Sequence, residues 1–307
     1  MGKKKKSKTL EIQGTQQSKH PDKLESTAEI LTSVFNEIES RSIGGSVAGI
    51  PVNFYDLDAM TLGLQRGSLI VIAGRPGMGK TSIALNIAKN VAQIHNLPVC
   101  LFGLEMSKEH YTYRLLTMEV GIESGRLRTG RLQQEEWPIL GQGIESLGQL
   151  PIFISGKSNI TVEGMIDKCE KIIKKQRKEL GLVLVDYVQL LDGSGSESRD
   201  EELSKIVIEL KGMARKLNVP VLLLSQLNRD LELRINKRPM LSDLRETQAL
   251  ESHSDVVIML YRDEYYDPDT CDRGITELIV CKHRNGPIGT VKMLFEPQFA
   301  RFRNLAA

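Results

Sequence analysis

Gly74-Arg75-Pro76-Gly77-Met78-Gly79-Lys80-Thr81 decides how this sequence is read. It fits G-x-x-x-x-G-K-[ST], and its flanks are those the pattern needs: an apolar run at 68–73 before it, and a helical pattern from about 81 to 95 after it. Glycines let the backbone wrap closely around phosphate oxygens, and a helix start adds about half a positive charge there. In such a loop Lys80 reaches the β- and γ-phosphates while the Thr81 hydroxyl ligates Mg²⁺. Gly74 to Ser82 is therefore read as the cradle of ATP with Mg²⁺.

A phosphate loop needs a carboxylate at the end of a neighbouring strand to hold the metal. Asp186 closes the run Leu182-Val183-Leu184-Val185 and is assigned that place. Hydrolysis also needs a group that orients or deprotonates water. Tyr187 follows Asp186, so no second carboxylate stands there. Glu105 instead closes the run 98–103, just before Ser107, which caps a helix. That is the carboxyl edge of the sheet, where open α/β sheets hold their ligands. A glutamate from the next strand marks the RecA-like branch of phosphate-loop proteins.

Further out, runs at 68–73, 98–103, 152–155, 181–185, 219–224 and 255–261 alternate with helical patterns. Strands rich in Val, Ile and Leu between helices predict a mostly parallel sheet covered on both faces. Runs at 275–282 and 288–295 flank Arg284-Asn285-Gly286-Pro287 and predict a β-hairpin or a bent strand pair. The fold class is α/β: a RecA-like P-loop core with helices about a central sheet and a carboxyl-terminal β-hairpin. Ser26-x-x-Glu29 is a capping box opening an amphipathic helix at 26–41. That helix packs either on its own domain or on a neighbouring subunit. Three regions are expected: a disordered basic tail at 1–25, a linker helix and hinge at 26–44, and the motor domain at 45–307.

Composition narrows the functional class. Of 307 residues, 40% are hydrophobic and 26% charged, the balance of a folded globular chain. No run approaches the ~20 apolar residues of a membrane helix, and no secretory segment follows the first lysines, so a cytoplasmic location is expected. The four cysteines form no C-x-x-C pair, which argues against zinc and disulfides. The net charge is +2, but residues 1–20 hold six Lys and one Glu, leaving the remainder negative. An anionic polymer would have to be gripped by local loops.

Taken with Phe102-Gly103-Leu104-Glu105-Met106-Ser107, Val185-Asp186-Tyr187-Val188-Gln189-Leu190, Leu224-Ser225-Gln226-Leu227-Asn228-Arg229, Ser242-Asp243-Leu244-Arg245-Glu246 and Lys282-His283-Arg284-Asn285-Gly286-Pro287-Ile288-Gly289, the chain resembles the motor domain of DnaB-family replicative DNA helicases from about Thr27 to Leu305. The resemblance implies a hexameric ring that hydrolyses ATP between subunits while moving 5′ to 3′ on single-stranded DNA. It implies that Arg284 is an arginine finger acting on the adjacent subunit's ATP, with Lys282 as its companion. Gln226 is implied as a γ-phosphate sensor; a buried structural amide is the other reading. Loops at about 192–201 and 227–250 would face the channel, the second carrying Arg229, Arg234, Lys237, Arg238 and Arg245. It holds no aromatic residue, so contacts to the strand backbone rather than base stacking are expected; solvated cations remain the other reading for 229–238.

Arg229, Arg245, Glu246 and Gln248 are the implied DNA-binding set. From Thr247 to Asp255 the sequence departs from the family, losing the glycine expected at Gln248. Relatives usually carry an amino-terminal collar domain that recruits primase. Here that domain is expected to be absent, leaving primase and a helicase loader as open partners and ring stability to the linker helix and the ATP interfaces. A filament-forming recombination ATPase and a non-unwinding nucleotide-dependent clamp are the alternative functions.

Overall fold

The computed structural model describes residues 24, 26–44, 48–156, 160–186 and 199–305. The chain divides into two units, Met1–Ser46 and Val47–Ala307. In the first, helix α1 spans Thr27–Gly44, ending three residues beyond the predicted range. The capping box forms: Ser26 N donates to Glu29 Oε2 at 2.8 Å, and Glu29 N donates back to Ser26 Oγ at 3.3 Å. The Ser26 N–H, and then the Ser26 hydroxyl donating to the same oxygen, hold the Glu29 carboxyl below the usual range. The rest of the expected tail, and 192–198 of the first expected channel loop, lie outside the described residues.

Among the described residues the second unit has nine strands: β1 (Leu69–Gly74), β2 (Val99–Gly103), β3 (Ile152–Ser155), β4 (Leu182–Asp186), β5 (Val221–Gln226), β6 (Val256–Tyr261), β7 (Ile275–His283), β8 (Gly289–Glu296) and β9 (Arg301–Asn304). The order across the sheet is β3-β2-β4-β5-β1-β6-β7-β8-β9. The first six are parallel, and β7 to β9 run antiparallel. The α/β class and the carboxyl-terminal hairpin are as expected. Strand β9 is an addition, since Arg301-Phe302-Arg303-Asn304 holds one apolar side chain and no local pattern signals it.

The connecting helices are α2 (Tyr55–Thr61), α3 (Lys80–His95), α4 (Lys108–Val120), α5 (Ser124–Thr129), α6 (Glu136–Gln149), α7 (Val162–Gln176), α8 (Arg199–Lys216) and α9 (Gln248–His253). Strand β1 shows why the parallel strands read as unbroken apolar runs. Ile70 and Ile72 enter one layer with Ile83 and Ile87 of α3, while Leu69, Val71 and Ala73 enter the other with Leu210 and Met213 of α8. A strand wet on neither face has no polar alternation to display. Among the described residues no helix is long and apolar enough to cross a membrane.

Candidate active site

The parallel strands share one register, which gathers their carboxyl ends. Gly74 pairs with Gln226, and Gly103 pairs with Asp186. The phosphate loop leaves β1 here and turns into α3 at Gly79, whose φ of 96° is costly for any residue with a Cβ. A Cβ there would also stand 3.1 Å from Phe302 and 3.3 Å from Phe295, two rings stacked at 4.4 Å. The loop thus rests on the last two strands of the sheet.

A cavity of about 410 Å³ opens above the loop, lined among others by Lys80, Thr81, Glu105, Arg114, Gln226, Arg262 and Phe295. Lys80 Nζ donates to the carbonyls of Gly74 (2.8 Å) and Arg75 (3.1 Å). Burial lowers the Lys80 ammonium to about 8, against the opposing pull of Asp186 and Glu105. The Thr81 hydroxyl donates to Asp186 Oδ2 at 3.0 Å, and Tyr111 Oη donates to the same oxygen at 3.0 Å. Asp186 is buried; desolvation raises its carboxyl above the usual range, while the two hydroxyls favour its charged form. Burial and then Asp186 push the Tyr111 phenol up, which keeps it a donor.

The predicted residues Lys80, Thr81, Asp186, Glu105 and Gln226 therefore meet at one sheet edge. Glu105 is exposed, just ahead of Ser107, whose side chain accepts from His110 N and caps α4. Tyr111, Arg114, Arg262 and Phe295 were not foreseen. Arg262 Nη1 donates to the Gly77 carbonyl at 3.0 Å, pairs with Glu264, and lies 4.9 Å from the centre of the Phe295 ring. The oxygen donors at Thr81 and Asp186 suit Mg²⁺, and no group of three His, Cys, Asp or Glu that could hold a metal occurs among the described residues. Two protein oxygens and no cage fit a metal that arrives with phosphates.

Lys282 and Arg284 lie elsewhere. Lys282 donates to the Glu251 carbonyl, and both cations donate to that of Ser252, at 3.4 and 3.3 Å, at the end of α9. Arg284 also sits 3.4 Å from Asp255, which holds Lys211 at 2.5 Å. Register passes from Val257–Lys282 to Ile258–Val280, so Cys281 is a bulge that re-aims the residues after it.

The segment expected as a channel loop at 227–250 is not plain coil. It contains 3₁₀ turns at Arg229–Leu233 and Leu241–Thr247 and the start of α9. Two of its cations are occupied: Arg234 by Asp243 at 2.8 Å, and Arg238 by the buried Glu277, with Nη2 to Oε1 at 2.8 Å. Both are thus ion-paired within the chain rather than free, with Arg238 still half exposed. Arg229 is exposed. The side chains of Arg245, Glu246 and Gln248 lie outside those described.

The chain is 43% identical over 297 residues to "Replicative DNA helicase DnaB" of Geobacillus stearothermophilus, covering 96% of this chain and 65% of that protein. It is 43% identical over 292 residues to "Replicative DNA helicase DnaC" of Bacillus subtilis (strain 168), covering 94% and 64%. It thus spans slightly under two thirds of the length of these relatives. A solved ATPase domain superposes with a TM-score of 0.87 at 39% identity, covering 92% of this chain and 99% of that one. "The Structure Of A DnaB-Like Replicative Helicase And Its Interactions With Primase" superposes with a TM-score of 0.84 at 39% identity, covering 93% and 68%. The family model "DnaB-like helicase C terminal domain" matches residues 49–304, and the chain belongs to that family.

Proposed function

We propose that this chain is the motor of a replicative DNA helicase, hydrolysing ATP between the subunits of a hexameric ring as it translocates 5′ to 3′ on single-stranded DNA. One observation carries the reading. Lys282 and Arg284 cluster at the sheet edge opposite the chain's own phosphate loop, which supports a role toward a neighbour's nucleotide. The relatives above are replicative helicases, which supports this reading over a recombination filament or a passive clamp.

In this reading Gly74 to Ser82 wrap the phosphates, with Lys80 leaving its two carbonyls for the β- and γ-oxygens. Thr81 and Asp186 would hold Mg²⁺, whose charge would neutralise phosphate oxygens. Glu105 orients the attacking water and accepts its proton. Gln226, at the end of β5, senses the γ-phosphate. Arg262 and Phe295 offer a cationic and aromatic wall for the rest of the nucleotide. Arg284 of one subunit, with Lys282, stabilises charge on the phosphoryl group held by the next, a contribution of ~10³–10⁵ in rate where such fingers operate. Arg229, Arg245, Glu246 and Gln248 contact the strand. The domain plan of tail, linker helix and motor belongs to the same proposal. Primase enters only as a partner of one relative.

The test is unwinding of a forked duplex with ATP and Mg²⁺, alongside native mass measurement. Closed six-membered assemblies with strand separation support the motor. Single-stranded-DNA-stimulated hydrolysis without separation would select the clamp, and open filaments the recombinase.

A further inference from the structure

Arg75 belongs to the phosphate loop, yet its guanidinium turns away from the nucleotide cavity. It is 5% exposed. Its Nε donates to Glu232 Oε1 at 2.8 Å and its Nη1 to the Leu227 carbonyl at 2.8 Å. Both acceptors lie on the segment that follows β5 and carries the exposed Arg229 and then Lys237. The backbone adds a tie, since Leu227 N donates to the Gly74 carbonyl at 3.3 Å. A planar guanidinium held on a carboxylate and a carbonyl is a stiff joint, because moving either acceptor alone breaks its geometry.

The other side of that joint meets the phosphate lysine. Lys80 Nζ donates to the carbonyls of Gly74 and Arg75, so the Gly74 oxygen serves Lys80 and Leu227 at once. An ammonium that swings toward phosphate oxygens loosens its hold on these two carbonyls. The Gly74–Arg75 peptide is then free to shift, and what shifts with it is fastened to Leu227 and Glu232. Lys237 Nζ donates to the Glu232 carbonyl, which extends the connection toward the next cation.

We propose that Arg75 is a positioning residue that makes the arrangement of residues 227–238 depend on what Lys80 holds, through its paired grip on Leu227 and Glu232. The coupling is internal to one chain and separate from Gln226. Its consequence for DNA rests on the helicase reading above; the coupling itself does not.

Glu232 is the handle for the test, because it lines no part of the nucleotide cavity. Hydrogen–deuterium exchange of the full chain is measured without nucleotide, with ADP and with a non-hydrolysable ATP analogue. In the wild type, exchange across 227–238 should change severalfold with nucleotide. Glu232→Ala should abolish that difference while basal hydrolysis without DNA stays within twofold. Glu232→Gln, which keeps an oxygen acceptor at the same reach, should recover part of it. In parallel, stimulation of hydrolysis by a single-stranded oligonucleotide should fall about tenfold in Glu232→Ala. Nucleotide-dependent exchange at 227–238 that persists in Glu232→Ala overturns the coupling. Wild-type coupling without any oligonucleotide binding overturns the helicase reading and leaves the coupling standing.

Discussion

Arg284 and Lys80 of one chain stand at opposite edges of the same sheet. His283 pairs with Val256, and Val256 pairs with Ile70, so Arg284 lies level with Leu69 at the amino end of β1, while Lys80 follows its carboxyl end at Gly74. At ~3.3 Å per residue, the four steps from Ile70 to Gly74 alone separate them by about 13 Å along the strand. Arg284 N donates to the Asp255 carbonyl, and Asp255 N donates to that of Leu69, which fixes Arg284 at that far edge.

Mixing therefore gives a direct test. Arg284→Ala should lower hydrolysis by ~10³-fold or more, and Lys80→Ala should abolish it. Combining the two variants should restore measurable turnover, because an intact loop then meets an intact Arg284 across some interfaces. Steady-state hydrolysis against mixing ratio reads this out; a flat baseline at every ratio would refute the shared site.

Lys80 links folding to pH. Below pH 8 it is protonated in folded and unfolded chains alike, so the cost of burying its charge is present in full. Between about 8 and 10.5 the unfolded chain keeps a proton that the folded chain has released, so stability rises with pH through that window. Relative to Lys80→Met, wild-type unfolding free energy should gain up to about 3 kcal/mol across it in urea titrations. Nucleotide affinity, which needs the ammonium, should fall up to about tenfold per pH unit above 8. Affinity unchanged between pH 7.5 and 9.5 would argue against a lowered Lys80.

Gly103 leaves room for the ring that braces Asp186. A Cβ at Gly103 would stand 2.1 Å from Tyr111 Cε2. Gly103→Ala should destabilise the domain by roughly 1–3 kcal/mol through overpacking. It should also weaken hydrolysis by displacing the phenol from Asp186. Tyr111→Phe, which keeps the packing and drops the hydroxyl, should spare most of the stability and show the catalytic loss alone. Thermal unfolding and turnover measured on both variants separate the effects.

Arg238 and Arg229 should behave oppositely. Arg238→Ala leaves Glu277 buried without its bidentate partner and should cost about 2–3 kcal/mol, somewhat less than a fully buried pair because the arginine is half exposed. It should leave the salt dependence of oligonucleotide binding unchanged. Arg229→Ala should barely alter stability but should reduce the slope of log affinity against log salt by about 0.7. Equal slopes for Arg229→Ala and wild type would remove Arg229 from the strand contacts.

What could be read ahead of the structure was local. Gly74 to Thr81 announce themselves because one short loop must satisfy one ligand. The parallel strands do so because burial on both faces leaves unbroken apolar runs. Asp186 and Glu105 were found from their positions at strand ends, which the shared register turns into proximity. Tyr111 escaped because its hydroxyl serves Asp186, 75 residues away. Arg262 escaped although it follows β6 at the same carboxyl edge, because its acceptor is a backbone carbonyl, and Phe295 because antiparallel strands fold it back over the loop. Arg238 read as a free cation because Glu277, a buried carboxylate inside a β-strand, gave no hint of its partner, and Arg234 because Asp243 meets it only through the 3₁₀ turn that follows. The bulge at Cys281 is invisible to alternation, since it is an interruption of that very rule.

The floor beneath Gly79 has a consequence for biosynthesis. Phe295 and Phe302 support a loop made more than two hundred residues earlier, so the nucleotide cradle cannot acquire its finished shape until Phe302 has cleared the ribosome. A nascent chain holding everything up to β7 carries the whole motif but lacks its seat. Capture of ATP is thereby postponed until β9 has been made.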